Sequence, residues 1–270
     1  PVKAIGLCNL PIGTQERIAK LLGVPMESVR LETVSLNHCG AVTAVYLGGK
    51  NVLPKLLSPE SLDQAEALDP WVKNYRPIIE LLGAIPNDYL QYFFYRDRKF
   101  QELLKAEQTR GEACQEIETR LLSYYADPRN NTVPAMLAER GGHLYSEAAI
   151  ALIASLSGAE PGHHVIDVQN NGVLNFLGGA SVIETSCFVS RGRIERNPIE
   201  SKPNPVLTSL VSSVKAYETL TVQAALSGDR NTALRALACN PITADLDKAA
   251  PCLEEMLLQN RPLLPRFFPV

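Results

Sequence analysis

The sequence predicts an α+β fold, mostly helical, with a small mixed or antiparallel sheet. Three observations carry this. "VRLETVSLN" (29–37) and "AVTAVYLGGK" (41–50) each alternate apolar and polar residues, the second running into a Gly-Gly turn, and together suggest a pair of antiparallel strands. The tract 86–125 is rich in Glu, Lys, Gln and Arg and holds one interior glycine, Gly111, as long helices with a solvated face do. The C-terminal stretches 206–228, 229–240 and 244–261 are again helical in composition and spacing.

From the N-terminus, Val2 to Leu7 reads as a strand. Pro11 sits at a favourable first helical position, Ile12, Ile18, Leu21 and Leu22 follow at helical spacing, and Gly23 stops the helix. His38 falls between the two paired strands. Helical pattern begins near residue 62, and "DPRNN" (127–131) breaks it. "RGGHLYSEAAIALIASLSG" (140–158) reads as a glycine-led helix ending at Gly158. "HHVIDVQ" (163–169) and "ASVIETSCFVS" (180–190) read as strands joined by the loop "NNGVLNFLGG". No internal repeat, low-complexity tract or flexible linker interrupts the 270 residues, which suits a single domain with a substantial core.

Composition removes several function classes. A net charge of −3 gives no footprint for nucleic acid. No apolar run reaches membrane-spanning length, and the N-terminus lacks a secretion signal. Six cysteines without a C-x-x-C pair suit a reduced, cytoplasmic protein better than a disulfide framework or a zinc knuckle. Nucleotide fingerprints and a G-x-S-x-G elbow are absent, and His163-His164 reads as the start of a strand. The chain begins at Pro1 directly on a strand-like segment, as a trimmed domain would.

Cys8 and His38 are 30 positions apart, each at the end of an expected strand, where a scaffold can aim side chains into one cleft. Thiolate plus imidazole can hold Mn, Fe or Zn, with water or substrate oxygens completing an open Lewis-acid site. By itself the spacing favours a plainer reading: Cys8 a small buried hydrophobe, His38 a hydrogen-bonded loop histidine. Tyr89 lies in the aromatic run "NDYLQYFFY", which reads first as core, although a phenol beside a cation can act as a base. Arg140, opening "RGG" at an expected helix start, reads either as part of an anion site or as a surface arginine on a turn. Asn170 and Asn171 read as turn residues whose side chains are available to sugar hydroxyls.

Seven motifs in collinear order, "GLCNLPIG", "VSLNHCG", "GKNVLP", "LGAIPNDYLQYFF", "RGGHLYSEAA", "NNG" and "SVKAYETLTVQAALSGDRNTALRAL", resemble the C-terminal portion of the family 4 glycoside hydrolases, closest to the 6-phospho-β-glucosidases. The resemblance runs from Ile5 to about Phe267. It implies a fold like the C-terminal domain of lactate and malate dehydrogenases. Residues 1–270 would be the metal- and substrate-binding domain, with the NAD-binding Rossmann domain absent from this chain. The implied chemistry is redox-elimination: hydride transfer from C3 of the sugar to NAD, C2 deprotonation, loss of the C1 aglycone, water addition and hydride return. It further implies Mn²⁺ or another divalent metal on Cys8 and His38, and Asn9 as a contact to a phosphorylated sugar. Tyr89 would be the base, with Tyr145 as the alternative. Arg140, Asn170 and Asn171 would be substrate contacts. Cys39 departs from the family, where a larger or aromatic residue often follows the histidine, and would alter the pocket or the preferred metal. The implied partners are a phosphorylated disaccharide or aryl 6-phospho-glucoside and further copies of the chain in a homo-oligomer. The resemblance leaves open a 6-phospho-α-glucosidase relative and a non-catalytic assembly domain, and implies that this chain alone has no turnover.

Overall fold

The computed structural model describes residues 4–142 and 144–268. In chain order the elements are α1 Asn9–Leu22, β1 Val29–Leu36, β2 Cys39–Leu47, β3 Lys50–Asn51, α2 Leu53–Leu56, α3 Pro59–Leu68, α4 Pro70–Leu82 and β4 Ile85–Pro86. Then come α5 Gln91–Phe94, α6 Arg96–Lys105, α7 Arg110–Tyr125, α8 Leu137–Arg140, α9 Tyr145–Ser157, β5 Gly162–Gln169, β6 Val182–Ser190 and β7 Arg193–Arg196. The chain closes with α10 Pro205–Ser227, α11 Arg230–Cys239 and α12 Leu246–Gln259. The architecture is α+β. Its strands run in the order β3-β2-β1-β6-β5, with β4 beside β2 and β7 beside β6, and every pairing among the described residues is antiparallel.

Strands β1 and β2 are buried on both faces, where their alternating pattern predicts one wet face. Two layers of helices explain this. Val29, Leu31, Val42 and Val45 pack with Ile18 and Ala19 of α1. Val34, Leu36, Cys39 and Ala41 pack on the other side against α4 and against Leu207 and Val211 of α10. The register shifts by one residue between Glu32 and Thr33, which leaves Thr43 without a partner. That bulge reverses the inward–outward sense along β2, so Val45 and Val42 share a face although three residues apart. The sheet interior also holds a carboxylate. Glu32, 1% exposed, accepts from Thr43 Oγ1, Tyr46 Oη and the backbone N–H groups of Glu200 and Ser201. A buried carboxyl group is tolerable with that many donors.

Several expectations need correction. The N-terminal strand reduces, over the described residues, to one antiparallel bridge between Gly6 and Asp167. Helix α1 starts at Asn9 because the Cys8 thiol takes the capping position and accepts from Leu10 N, so Pro11 is the third helical residue. The tract 86–125 is not continuous helix. It breaks at Ala106, and a Thr109–Glu112 capping box starts α7 afresh. Arg140 ends α8 instead of opening α9, and Gly141 and Gly142 follow at φ 89° and 87°. Strand β7 has no counterpart among the sequence-predicted elements.

Candidate functional site

The site begins with how the N-terminal segment is held. Gly6 exchanges two backbone hydrogen bonds with Asp167 of β5, at 3.1 and 2.9 Å. A Cβ on Gly6 would lie 2.7 Å from the Asp167 side chain, so only glycine permits this approach. Two residues on, Cys8 caps α1 in extended conformation and is 5% exposed.

His38 arrives from the tight turn between β1 and β2. Its φ is 63°, a left-handed conformation uncommon for a residue with a side chain. The neighbouring Gly40 lets the hairpin close: a Cβ there would fall 2.4 Å from Ser35 Cα. Backbone strain concentrated in a hairpin turn is a common companion of function. The turn aims the imidazole at the thiol, with Cys8 Sγ 3.6 Å from His38 Nε2. Tyr89 stacks on the imidazole: its ring lies 4.2 Å from the His38 ring, 14° from parallel. It sits on a single 3₁₀ turn, Asp88–Leu90, not in a long helix, and is 40% exposed. Tyr145, the other candidate base, donates its hydroxyl to Leu7 O at 3.1 Å.

Beneath the thiol lies a polar cluster that the sequence does not announce. Asn37 Nδ2 reaches Glu184 Oε1 at 3.5 Å. Ser35 Oγ donates to Glu184 Oε2 at 3.0 Å, and Glu184 faces Asp167 across the β5–β6 register. Burial, reinforced by Asp167, pushes the Glu184 carboxyl up to about 8. Burial also raises Asp167, with Glu218 adding and Lys215 opposing. Cys8 is raised chiefly by burial, opposed by the Leu10 N–H, with Glu184 and Asp167 adding to the rise. Burial lowers His38, which favours the neutral, ligating imidazole. The one local signal is Glu184 itself, the single acidic residue in a strand of apolar and hydroxyl side chains.

The donor pair suits a divalent cation. Bond lengths of about 2.3 Å to sulfur and about 2.05 Å to nitrogen put two ligands about 3.1 Å apart at a right angle and about 3.6 Å apart at the tetrahedral angle. The observed 3.6 Å falls at the tetrahedral end, and longer bonds would fit it at a smaller angle. Among the described residues no third His, Cys, Asp or Glu completes a cluster, so remaining positions would fall to water or substrate oxygens. His143 lies outside the described residues.

The other expected site residues divide. Asn9, the first residue of α1, lines an open groove of about 580 Å³ with Arg17, Asp69 and Asp88. Asn170 is fully buried. Its amide donates to Leu174 O, Leu177 O and Gly178 O and its oxygen accepts from Leu174 N, so it shapes its own loop and has no face for a sugar. Asn171 is exposed at φ 45°. Arg140 is exposed, and its carbonyl accepts from Arg110 on α7. Cys39 is 2% exposed in the apolar core on the opposite face of the sheet, with burial pushing its thiol up to about 12, so it does not border His38's cleft. His163 and His164 pair with Asn197 and Ser155. All six cysteines are free. No helix among the described residues is long and apolar enough to cross a membrane.

Comparison with known proteins gives consistent matches. The family 4 glycosyl hydrolase C-terminal domain matches residues 34–243. A probable 6-phospho-beta-glucosidase of Bacillus subtilis (strain 168) is 32% identical over 276 aligned residues, covering 98% of this chain and 61% of the relative. The phospho-alpha-glucosidase PagL of Clostridium acetobutylicum is 24% identical, covering 96% of this chain and 61% of its own. The 6-phospho-beta glucosidase of Thermotoga maritima, solved with manganese, NAD+ and glucose-6-phosphate, superposes with a TM-score of 0.83 at 30% identity, over 96% of this chain and 61% of that one. The chain thus spans about three-fifths of the length of the curated relatives it matches.

Proposed function

The chain belongs to the family 4 glycosyl hydrolases, and from that premise we propose that it is the metal- and sugar-binding part of a 6-phospho-β-glucosidase that works by redox-elimination. The observation that carries the reading is the 3.6 Å approach of Cys8 Sγ to His38 Nε2, with Tyr89 stacked on the imidazole. The β anomer is preferred because the relative named for it is more similar, 32% against 24%.

In this reading Cys8 and His38 hold the cation. Bound there, a divalent ion would polarise a carbonyl at C3 of the sugar, and NAD, held by the part of the relatives that this chain does not span, would accept and return the hydride. Tyr89 Oη removes the proton from C2, which the neighbouring carbonyl makes acidic, the aglycone leaves C1, and water adds across the resulting C1–C2 double bond, its oxygen at C1 and a proton at C2, before the hydride returns to C3. Tyr145 is the weaker base because its hydroxyl is engaged with Leu7 O. Asn9, at the N-terminus of α1, meets the sugar phosphate, where helix N–H groups favour an anion. Arg140 and Asn171, both exposed, are the further candidates for phosphate and hydroxyl contacts. Assembly into a homo-oligomer belongs to the same proposal.

The test is hydrolysis of an aryl 6-phospho-β-glucoside with NAD and Mn²⁺ added. It is run on the 270-residue chain alone and on the chain joined to the NAD-binding part of a family relative. The proposal expects no turnover from the chain alone, and turnover from the joined protein only with both additions. Hydrolysis by the chain alone, or without NAD, would overturn it.

A further inference from the structure

Tyr89 stands on a single turn of three residues, too short to hold a ring in place by its own hydrogen bonds. Its neighbour Asp88 is held from three directions. Trp71 Nε1 donates to Asp88 Oδ1 at 2.7 Å, and Tyr75 Oη donates to the Asp88 carbonyl at 2.5 Å. Arg17 Nη1 lies 3.8 Å from the same carboxylate oxygen, while its Nε pairs with Asp69 at 3.1 Å. The three partners also support one another. The Arg17 guanidinium sits 4.4 Å over the Trp71 ring, and Trp71 stacks on Tyr75 at 4.4 Å. Below, Asn87 caps Tyr89 N at 2.9 Å and donates its own N–H to Gly40 O, two residues from His38.

Arg17 belongs to α1, the helix that Cys8 caps. Trp71 and Tyr75 belong to α4, whose Ile78, Ile79 and Leu82 are sunk in the main core. One carboxylate therefore ties the turn carrying the phenol to the helix carrying the thiol and to the rigid core. The indole bond, at 2.7 Å, is the strong side-chain member of the set. The Arg17 contact, at 3.8 Å with Asp88 37% exposed, adds little by itself.

We propose that Asp88 is a positioning residue, which sets the pitch of the Tyr89 ring over His38 through Trp71. Its effect on catalysis rests on the reading of Tyr89 as the base; its effect on geometry does not.

Trp71 is the single tryptophan of the chain, and His38 is one of four histidines. The geometry can therefore be read without turnover. In NMR spectra the ring protons of His38, assigned by their loss in His38→Gln, are shifted upfield by the stacked Tyr89. The shift left after Tyr89→Leu defines the unstacked value. Asp88→Ala and Trp71→Phe are expected to move the His38 signals toward that value. Asp88→Asn, which keeps an oxygen acceptor for the indole, is expected to leave them near wild type. Trp71 emission should change in Asp88→Ala and hold in Asp88→Asn. In the joined enzyme Asp88→Ala lowers kcat by on the order of tenfold to a hundredfold with KM nearly constant, the mark of a misplaced group that substrate binding does not need.

Wild-type His38 signals in Asp88→Ala would overturn the proposal. If that variant fails to fold, wild-type signals in Trp71→Phe, or displaced ones in Asp88→Asn, would overturn it equally. Full activity in Tyr89→Phe would instead remove Tyr89 as the base and leave the positioning result standing on the spectra.

Discussion

Replacing Glu184 by glutamine should change how stability depends on pH. Glu184 is 3% exposed, and its carboxyl lies at about 8 in the fold against 4.5 ordinarily. Between those values the folded protein keeps a proton that the unfolded chain has released. Stability is therefore greatest below the lower value, falls as pH rises through the interval, and levels off above about 8. Each pH unit inside the interval costs at most about 1.4 kcal/mol, so the whole crossing removes a few kcal/mol. Glutamine has the same shape, accepts from Ser35 Oγ and carries no proton to lose, so the fall should vanish. Asp167 is raised too and adds a slope of the same sign, whereas the lowered His38, His163 and His164 lose stability as pH falls through their range. These contributions are largely common to both proteins and cancel in the difference. The assay is urea denaturation followed by circular dichroism across about pH 5 to 9. The glutamine variant is expected to gain on wild type as pH rises. Parallel curves would refute the claim that Glu184 is buried as the neutral acid.

Gly6→Ala forces a Cβ within 2.7 Å of Asp167 and should cost about 1–3 kcal/mol while weakening metal binding, because Cys8 follows two residues later; thermal melts with metal titration check both. Asn170→Ala removes a donor from the Leu174, Leu177 and Gly178 carbonyls and the acceptor of the buried Leu174 N–H, and should cost about 1–3 kcal/mol by chemical denaturation, with little direct effect on sugar binding. Metal binding should release about one proton, since burial keeps the Cys8 thiol protonated and metal requires the thiolate. Affinity therefore rises with pH, and calorimetry in buffers of different ionisation heat counts the proton.

Local signals carried much of the fold. Gly23 and Gly158 end their helices in the left-handed conformation, as glycine after an apolar run suggests, and the β1–β2 hairpin follows the alternation in 29–47. What failed needed tertiary knowledge. Nothing in "AVTAV" announces a bulge at Thr43, and over the described residues the N-terminal strand is one bridge, at Gly6, where a Cβ would meet the Asp167 side chain. Pro11 suggests a helix start two residues late, since a cysteine thiol is an unusual cap. Spacing alone left Cys8 and His38 as a buried hydrophobe and a loop histidine; the family resemblance is what joined them. Asn170 and Asn171 read alike as adjacent asparagines, yet burial separates them into a loop-builder and an exposed side chain. The roles of Glu184 and Asp88 depend on partners far away in the chain, which no local pattern encodes.

Titration of the chain with Mn²⁺, following the paramagnetic signal of the free ion in the presence of glucose 6-phosphate, tests the two-ligand metal site most directly. One ion should bind per chain. Affinity should fall by more than about a hundredfold in both Cys8→Ser and His38→Ala and survive in Tyr89→Phe. Equal binding by wild type and the two ligand variants would contradict a site built on Cys8 and His38.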